Sequence, residues 1–248
     1  MSRFDRAVGL ARSLAIYHLV PRRQHSLRRL YARFVQPGDL VFDVGAHVGN
    51  RTRALVALGC RVVAVEPQPA VAATLRTVLG GAGGVRIVEA AVASAVGQAR
   101  LAVSERTPTV STLADEWREA RRQEPGFAGV EWNASVEVAT TTLDALVAEH
   151  GLPSFVKLDI EGGEAAALAG LSQPLRTISF EFLPEALDAV DACARRLESL
   201  GRYRYNWTPA ESHRLASPAW LTADELRARL AAASRHGDVY ATLEAPPA

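Results

Sequence analysis

The stretch "DLVFDVGAHVGN", residues 39–50, decides the fold. It opens as a short run, Leu40 to Val44, that is apolar on both faces except for Asp43, as a strand covered by helices on both sides should be. Gly45 and Gly49 then break it, and "NRTRALVALG" (50–59) follows with helical spacing and a glycine end. A buried strand that passes through glycines into a helix is the start of a βαβ unit. Glycines at that turn let the backbone come close to a ligand, and the free N–H groups of the helix start face it.

Outward from this turn the alternation continues. "RVVAVEP" (61–67) reads as a second strand, "QPAVAATLRTVLGG" (68–81) as a helix and "GVRIVEAAV" (84–92) as a third strand. "SVEVATTTL" (135–143) is strand-like, and "LDALVAEHG" (143–151) is a helix closed by Gly151. "SFVKLDI" (154–160) and "RTISFEFL" (176–183) are strands, separated by the helix "GGEAAALAGL" (162–171). "PEALDAVDACARRLESLG" (184–201) is a helix with proline in its first turn and glycine after its end. "RYRYNW" (202–207) and "DVYATLE" (238–244) are two last strands around the helix "TADELRARLAAAS" (222–234). The pattern predicts one α/β domain over 37–248, a doubly wound, mostly parallel sheet of seven strands. Residues 104–135 interrupt the rhythm with a polar stretch holding two tryptophans, a candidate lid or substrate insertion. A frayed "APPA" tail ends the chain.

Residues 1–36 form a basic extension of two short helices divided by Pro21, with eight arginines against Asp5. A solvated face capping the domain accounts for them better than an anionic partner does. The whole chain, 248 residues with a net charge of +1, exerts no global pull on nucleic acid or membrane. Cys60 and Cys193 match no metal-ligand spacing, and no apolar run approaches a membrane span or a signal-peptide core. The expected setting is cytoplasmic, and the chain is compatible with a homo-oligomer.

The second strand ends in Glu66, followed by Pro67, where a carboxylate can accept from two ribose hydroxyls. At the end of the third strand, Glu89 or the backbone of Ala90 and Ala91 can read an adenine edge. The turn residues Asp43, Gly45, His47, Gly49 and Asn50 complete an adenosine-type site. The spacing is Gly-x-x-x-Gly rather than the Gly-x-Gly-x-x-Gly of dinucleotide sites, and Asp43 would repel a diphosphate. Asp43 can instead pair with a ligand ammonium or orient the loop. S-adenosyl-L-methionine, which carries an ammonium and a sulfonium but no phosphate, suits this charge pattern better than NAD.

The chain holds 28 Lys and Arg residues, and one alone is lysine, Lys157 in "FVKLDIEGGE" (155–164). Alternation puts Lys157, Asp159 and Glu161 on one face of a strand end, where a cleft makes three charges tolerable. Lysine starts near a pKa of about 10.4 and carboxylate neighbours raise it further. Lys157 is therefore expected to act as a cation that positions an acceptor and stabilises developing alkoxide. Asp159 is the first choice for general base, Glu181 at the next strand end the second, and His213 an outside candidate. Asp159 and Glu181 are compatible with a magnesium ion, which nothing in the sequence demands. Glu164 sits in a helix first turn, where a carboxylate suits the macrodipole.

Three blocks resemble the FkbM family of S-adenosylmethionine-dependent methyltransferases. They are "VFDVGAHVGNRT" with "VVAVEP", then "VATTTLDAL", then "VKLDIEGGEAAALAGL" followed by "ISFEF", spanning 41–182. The resemblance implies six parallel strands and one antiparallel, and methylation of a hydroxyl oxygen, often on a sugar or secondary metabolite. It places Asp43, Gly45, Gly49 and Glu66 at the cofactor and Lys157, Asp159 and Glu161 near the reaction centre. His47 stands where the family often has asparagine. The expected partner is a small-molecule hydroxyl acceptor. The rivals are an RNA methyltransferase on the same fold, an NAD-dependent oxidoreductase and a non-catalytic binding module.

Overall fold

The fold is that of a computed structural model, in which residues 8–9, 21–79, 81–124, 127–210 and 212–244 are described. Apart from residues 8–9, the first helix expected in the basic extension lies outside the described residues, as does the "APPA" tail.

Helix α1 (Pro21–Tyr31) leads into β1 (Leu40–Val44), α2 (Asn50–Val56), β2 (Arg61–Val65), α3 (Pro69–Leu79) and β3 (Val85–Val88). The excursion that follows contains β4 (Ala91–Val92), β5 (Gly97–Val103), a 3-10 turn (Pro108–Val110), α4 (Asp115–Arg122) and β6 (Ala134–Thr141). The chain then returns through α5 (Leu143–His150), β7 (Phe155–Leu158), α6 (Glu164–Ala169), β8 (Thr177–Phe182) and α7 (Leu187–Leu200). It closes with β9 (Tyr203–Pro209), α8 (Ala223–Leu230) and β10 (Gly237–Leu243).

The main sheet has seven strands in the order β3-β2-β1-β7-β8-β10-β9. β10 pairs antiparallel with both β8 and β9, and the remaining pairs are parallel, so six strands run one way and β10 alone opposes them. This is the doubly wound sheet that the alternation predicted. Strand order reverses between β1 and β7, and Asp43 lies directly opposite Lys157 in that pair. Ligands of open α/β sheets bind beyond the carboxyl ends at such a switch point.

Two segments depart from the sequence expectation. The third strand, expected over 84–92, stops at Val88, and Ala91–Val92 leave to pair with β6. β6, which reads as one more strand of the main sheet, instead centres a second, three-stranded sheet, β4-β6-β5. Its outer positions are solvent-exposed, and its stability comes from a seven-residue antiparallel ladder with β5. Alternating exposure rather than continuous burial marks a one-sided sheet. β5 itself, "GQARLAV", is too polar at its start to stand out in the sequence.

Helices cover both faces of the main sheet. On one face the buried residues of α5, α6, α7 and α8 pack with Phe42, Val63, Leu158 and Phe180. On the other, α1 contributes Leu27, Leu30 and Tyr31 beside Ala54 and Leu55 of α2. Phe34, just after α1, stacks on both Phe155 (5.8 Å) and Tyr240 (5.0 Å). The second half of the basic extension thus caps the sheet with an apolar face. Among the described residues, no helix is long and apolar enough to cross a membrane.

Candidate active site

The turn after β1 presses against the end of β7. A Cβ on Gly45, whose φ is +79°, would lie 1.8 Å from the carbonyl oxygen of Asp159, so only glycine fits. His47 follows in the left-handed region (φ 49°), as do Glu161 (φ 53°) and Ala210 (φ 45°). All three line the same cleft, and strained backbone of this kind gathers at functional sites.

The first hollow lies beyond β1 and β2. Gly45, His47, Glu66, Pro67, Ala90 and Ala91 line it, with Val92, Leu101 and Leu113 as apolar walls. Glu66 is buried, and its carboxylate oxygens accept from the backbone N–H groups of His47 (3.0 Å) and Gln68 (2.9 Å). Burial pushes its pKa up to about 7 against those hydrogen bonds. Each oxygen retains a further lone pair for a ligand hydroxyl. Gln68, which sequence reasoning missed, donates from Nε2 to Pro108 O (3.0 Å) and accepts from Ser111 Oγ (3.1 Å). It thereby ties the start of the 104–135 excursion over this hollow.

Three expected cofactor residues do not line the first hollow, although Asn50 lines the second. Asp43 is buried behind the turn; its Oδ2 accepts from Thr52 Oγ1 of α2 at 2.5 Å and so ties the loop to α2, while Oδ1 has no hydrogen-bond partner among the described residues. Burial raises its pKa, opposed by that hydrogen bond. Glu89 turns outward to Arg76 (2.7 Å), leaving the edge position to Ala90 and Ala91. Asn50, the first residue of α2, is held by Gln24 Nε2 of α1 through both its carbonyl and its side-chain oxygen. Gly49 caps α2 in the left-handed conformation.

The second hollow is an open cleft of about 740 Å³ beside the first. Gly45, His47, Thr109, Asp159 and Glu161 line both, so the two meet above the end of β7. Asp159 Oδ2 lies 3.2 Å from Arg51 Nε and 3.5 Å from Lys157 Nζ. Asp159, Glu161 and Glu181 each bring a carboxylate oxygen within 4.8 Å of the other two. Burial raises the pKa of Glu161 well above the carboxylate range, and repulsion from Glu181 and Asp159 adds to it. Glu181 is raised chiefly by burial, opposed by His236, whose Nδ1 lies 3.5 Å away.

Lys157 is where the structure departs most from expectation. Its side chain is fully buried beneath the cleft floor. Nζ donates to Asp238 Oδ1 (2.8 Å) and to Leu158 O (3.1 Å). Burial works against its charge, but Asp159 and Asp238 outweigh it and raise its pKa. Lys157 is the expected cation, but it is buried as a counter-ion to Asp238 and Asp159 rather than set against an acceptor in the cleft. Asp238 and Arg51 were not singled out from sequence; Asp238 sits 81 residues from Lys157 and meets it only through the antiparallel strand β10. His213 is turned away, with Nδ1 2.8 Å from Ser26 Oγ of α1. Glu164, at the start of α6, accepts from Ile160 N (3.0 Å), is buried, and is pushed up to about 7.

The excursion roofs the cleft. Thr112 Oγ1 donates to Glu161 O (2.7 Å), and Trp117 of α4 packs against Gly162, where a Cβ would lie 2.5 Å from the indole. Trp117 and Arg121 of α4 both line the cleft.

A family profile described as the methyltransferase FkbM domain matches residues 43–206. The chain belongs to the FkbM methyltransferase family. The match runs from the end of β1 into β9 and leaves Tyr31, Asp238 and Tyr240 outside it. No curated protein matches the sequence. Among solved structures, a TehB-like SAM-dependent methyltransferase from Corynebacterium glutamicum is similar at 12% identity and a TM-score of 0.49, with 94% of each chain covered. The precorrin-6y C5,15-methyltransferase of Geobacter metallireducens is similar at 14% identity and a TM-score of 0.46, covering 90% of this chain and 87% of that one. The 16S rRNA N2 G1207 methyltransferase of T. thermophilus follows at 13% and 0.43, covering 91% of this chain and 43% of that one.

Proposed function

We propose that this FkbM methyltransferase moves a methyl group from S-adenosyl-L-methionine to a hydroxyl oxygen of a small molecule. The observation that carries the reading is the meeting of the two hollows over Asp159 and Glu161, which puts carboxylates where a cofactor site opens into an acceptor cleft. The first hollow suits an adenosine: free lone pairs on Glu66, a close backbone at Gly45 and apolar walls at Val92, Leu101 and Leu113. The cofactor supplies an electrophilic methyl group when bound.

The chain's own residues must hold the acceptor oxygen and take its proton. Arg51 and Lys157 fix Asp159, whose side chain is 27% exposed to the cleft. Two cations lie beside Asp159, whereas Glu181 is pushed up chiefly by burial and lies near His236, Asp159 and Glu161. Asp159 is the group that orients the hydroxyl and takes its proton, with Glu181 as the second carboxylate beside it. Lys157 acts from below as the group that positions Asp159. A magnesium ion is compatible with the oxygens of Asp159, Glu161 and Glu181, though not demanded by them, and activity with and without EDTA decides its part.

Carboxylates on the cleft wall, Glu124, Glu161, Glu181, Glu185 and Asp238, disfavour a polyanion such as RNA. The reading is tested by calorimetry with S-adenosylhomocysteine and NAD in parallel. Micromolar binding of the first and none of the second is expected; the reverse sinks the proposal.

A further inference from the structure

Helix α4 turns one face towards the cleft, and that face carries two N–H groups with nothing to bond. Trp117 and Arg121, four residues apart and therefore neighbours on the helix surface, both line the cleft. Trp117 Nε1 and Arg121 Nε are buried without a hydrogen-bond partner among the described residues. Arg121 is 2% exposed, its guanidinium 5.6 Å from the ring of Trp117 and 5.7 Å from that of Phe127. The neighbouring indole shows the ordinary outcome: Trp132 Nε1 donates to Val110 O at 2.8 Å. Buried donors are nearly always paired, so two orphans side by side on the wall of a substrate cleft point to an acceptor atom that a ligand brings.

The charge around Arg121 limits what that ligand is. Nη1 already meets Glu124 (2.7 Å) and Glu185 (2.6 Å), so one guanidinium faces two carboxylates. A phosphate or sulfate entering here would meet net negative charge. An uncharged oxygen, a hydroxyl or an ether, meets only two free N–H donors and aromatic edges. Both nitrogens are enclosed with α4 in place, so a ligand reaches them only as α4 lifts from the cleft floor.

We propose that the inner face of α4 is an acceptor subsite, in which Trp117 Nε1–H and Arg121 Nε–H donate to oxygens of an uncharged, polyhydroxylated part of the acceptor. This deepens the methyl-transfer reading and rests on it. Arg121 is thus a specificity-determining residue supplied by the excursion, and it selects against phosphorylated acceptors.

The test is nuclear magnetic resonance on the ¹⁵N-labelled full chain. Its four tryptophans give four indole N–H signals, and Trp117→Phe identifies the one of interest. S-adenosylhomocysteine is added first; failure to bind it counts against the methyl-transfer reading itself. With that ligand saturating, methyl β-D-glucopyranoside is expected to move the Trp117 indole signal downfield. Glucose 6-phosphate is expected to bind at least tenfold more weakly than the neutral glycoside. Arg121→Lys keeps a positive charge for Glu124 and Glu185 but lacks the Nε–H, and a tenfold or larger loss of glycoside affinity is expected. A Trp117 signal that stays put at saturating S-adenosylhomocysteine and high glycoside overturns the proposal. So does equal binding by Arg121→Lys, or tighter binding of the phosphate.

Discussion

Lys157 Nζ and Asp238 Oδ1 meet at 2.8 Å beneath the floor of the cleft, bringing together residues 81 apart in the chain. Asp159 and Arg51 complete the group: Arg51 lies 3.2 Å from Asp159 and 3.9 Å from Asp238, so two cations and two carboxylates alternate. Removing one partner of a buried pair leaves an uncompensated charge in a medium that cannot hydrate it.

Asp238→Asn is therefore expected to destabilise the protein by about 3–5 kcal/mol, the usual cost of breaking a buried ion pair. Urea unfolding measures it. In a double-mutant cycle with Lys157→Met, the second change should recover part of the loss, because it removes the stranded ammonium. A loss below about 0.5 kcal/mol would show that the pair is not desolvated.

Lys157→Arg should also fail to substitute. The position is fully buried, and a planar fork needs more room than a compact ammonium. Overpacking predicts a loss of about 1–3 kcal/mol together with reduced turnover. Wild-type turnover and stability in this variant would mean that the lysine has no special place.

Glu181→Gln and Asp159→Asn should keep S-adenosylhomocysteine affinity near the wild-type value while methyl transfer falls about 10²–10⁴-fold, the usual contribution of a general base. Calorimetry reads the first quantity and a coupled homocysteine assay the second. If Asp159→Asn retains full transfer, Asp159 is not the base.

Glu66→Ala removes the carboxylate that joins the β1 turn to the start of α3 and offers lone pairs to the first hollow. S-adenosylhomocysteine should bind at least tenfold more weakly by calorimetry. Unchanged affinity would undo the ribose assignment.

Stability should depend on pH through Glu66 and Glu164. Both are raised by burial from 4.5 to about 7, so the folded state keeps protons that the unfolded chain has already released. Their favourable contribution is complete below pH 4.5 and is lost as the pH rises to 7. By linkage each group can remove up to about 3 kcal/mol across that window. Urea midpoints of the ligand-free protein should fall between pH 5 and pH 7, and Glu66→Gln should flatten the slope. A midpoint that rises over this range would contradict the burial of both groups.

The sequence by itself determined the main sheet, because local cues carry it: short strands apolar on both faces, glycine-bounded helices, and the 39–50 turn. It also brought Glu66 and the Asp159–Glu161 strand end to the right edge, since strand ends in a doubly wound sheet share one rim. Only the tertiary structure decided what those charges do. Lys157 sinks below the floor because Asp238 arrives on β10, and Asp43 turns one of its oxygens to Thr52. β6 leaves the main sheet because β5, nearly invisible by composition, offers it an antiparallel partner. The reason is common to all three. Hydrophobic period is local and can be read along the chain, whereas the partner of a buried charge or an edge strand is set by contacts between residues far apart in it.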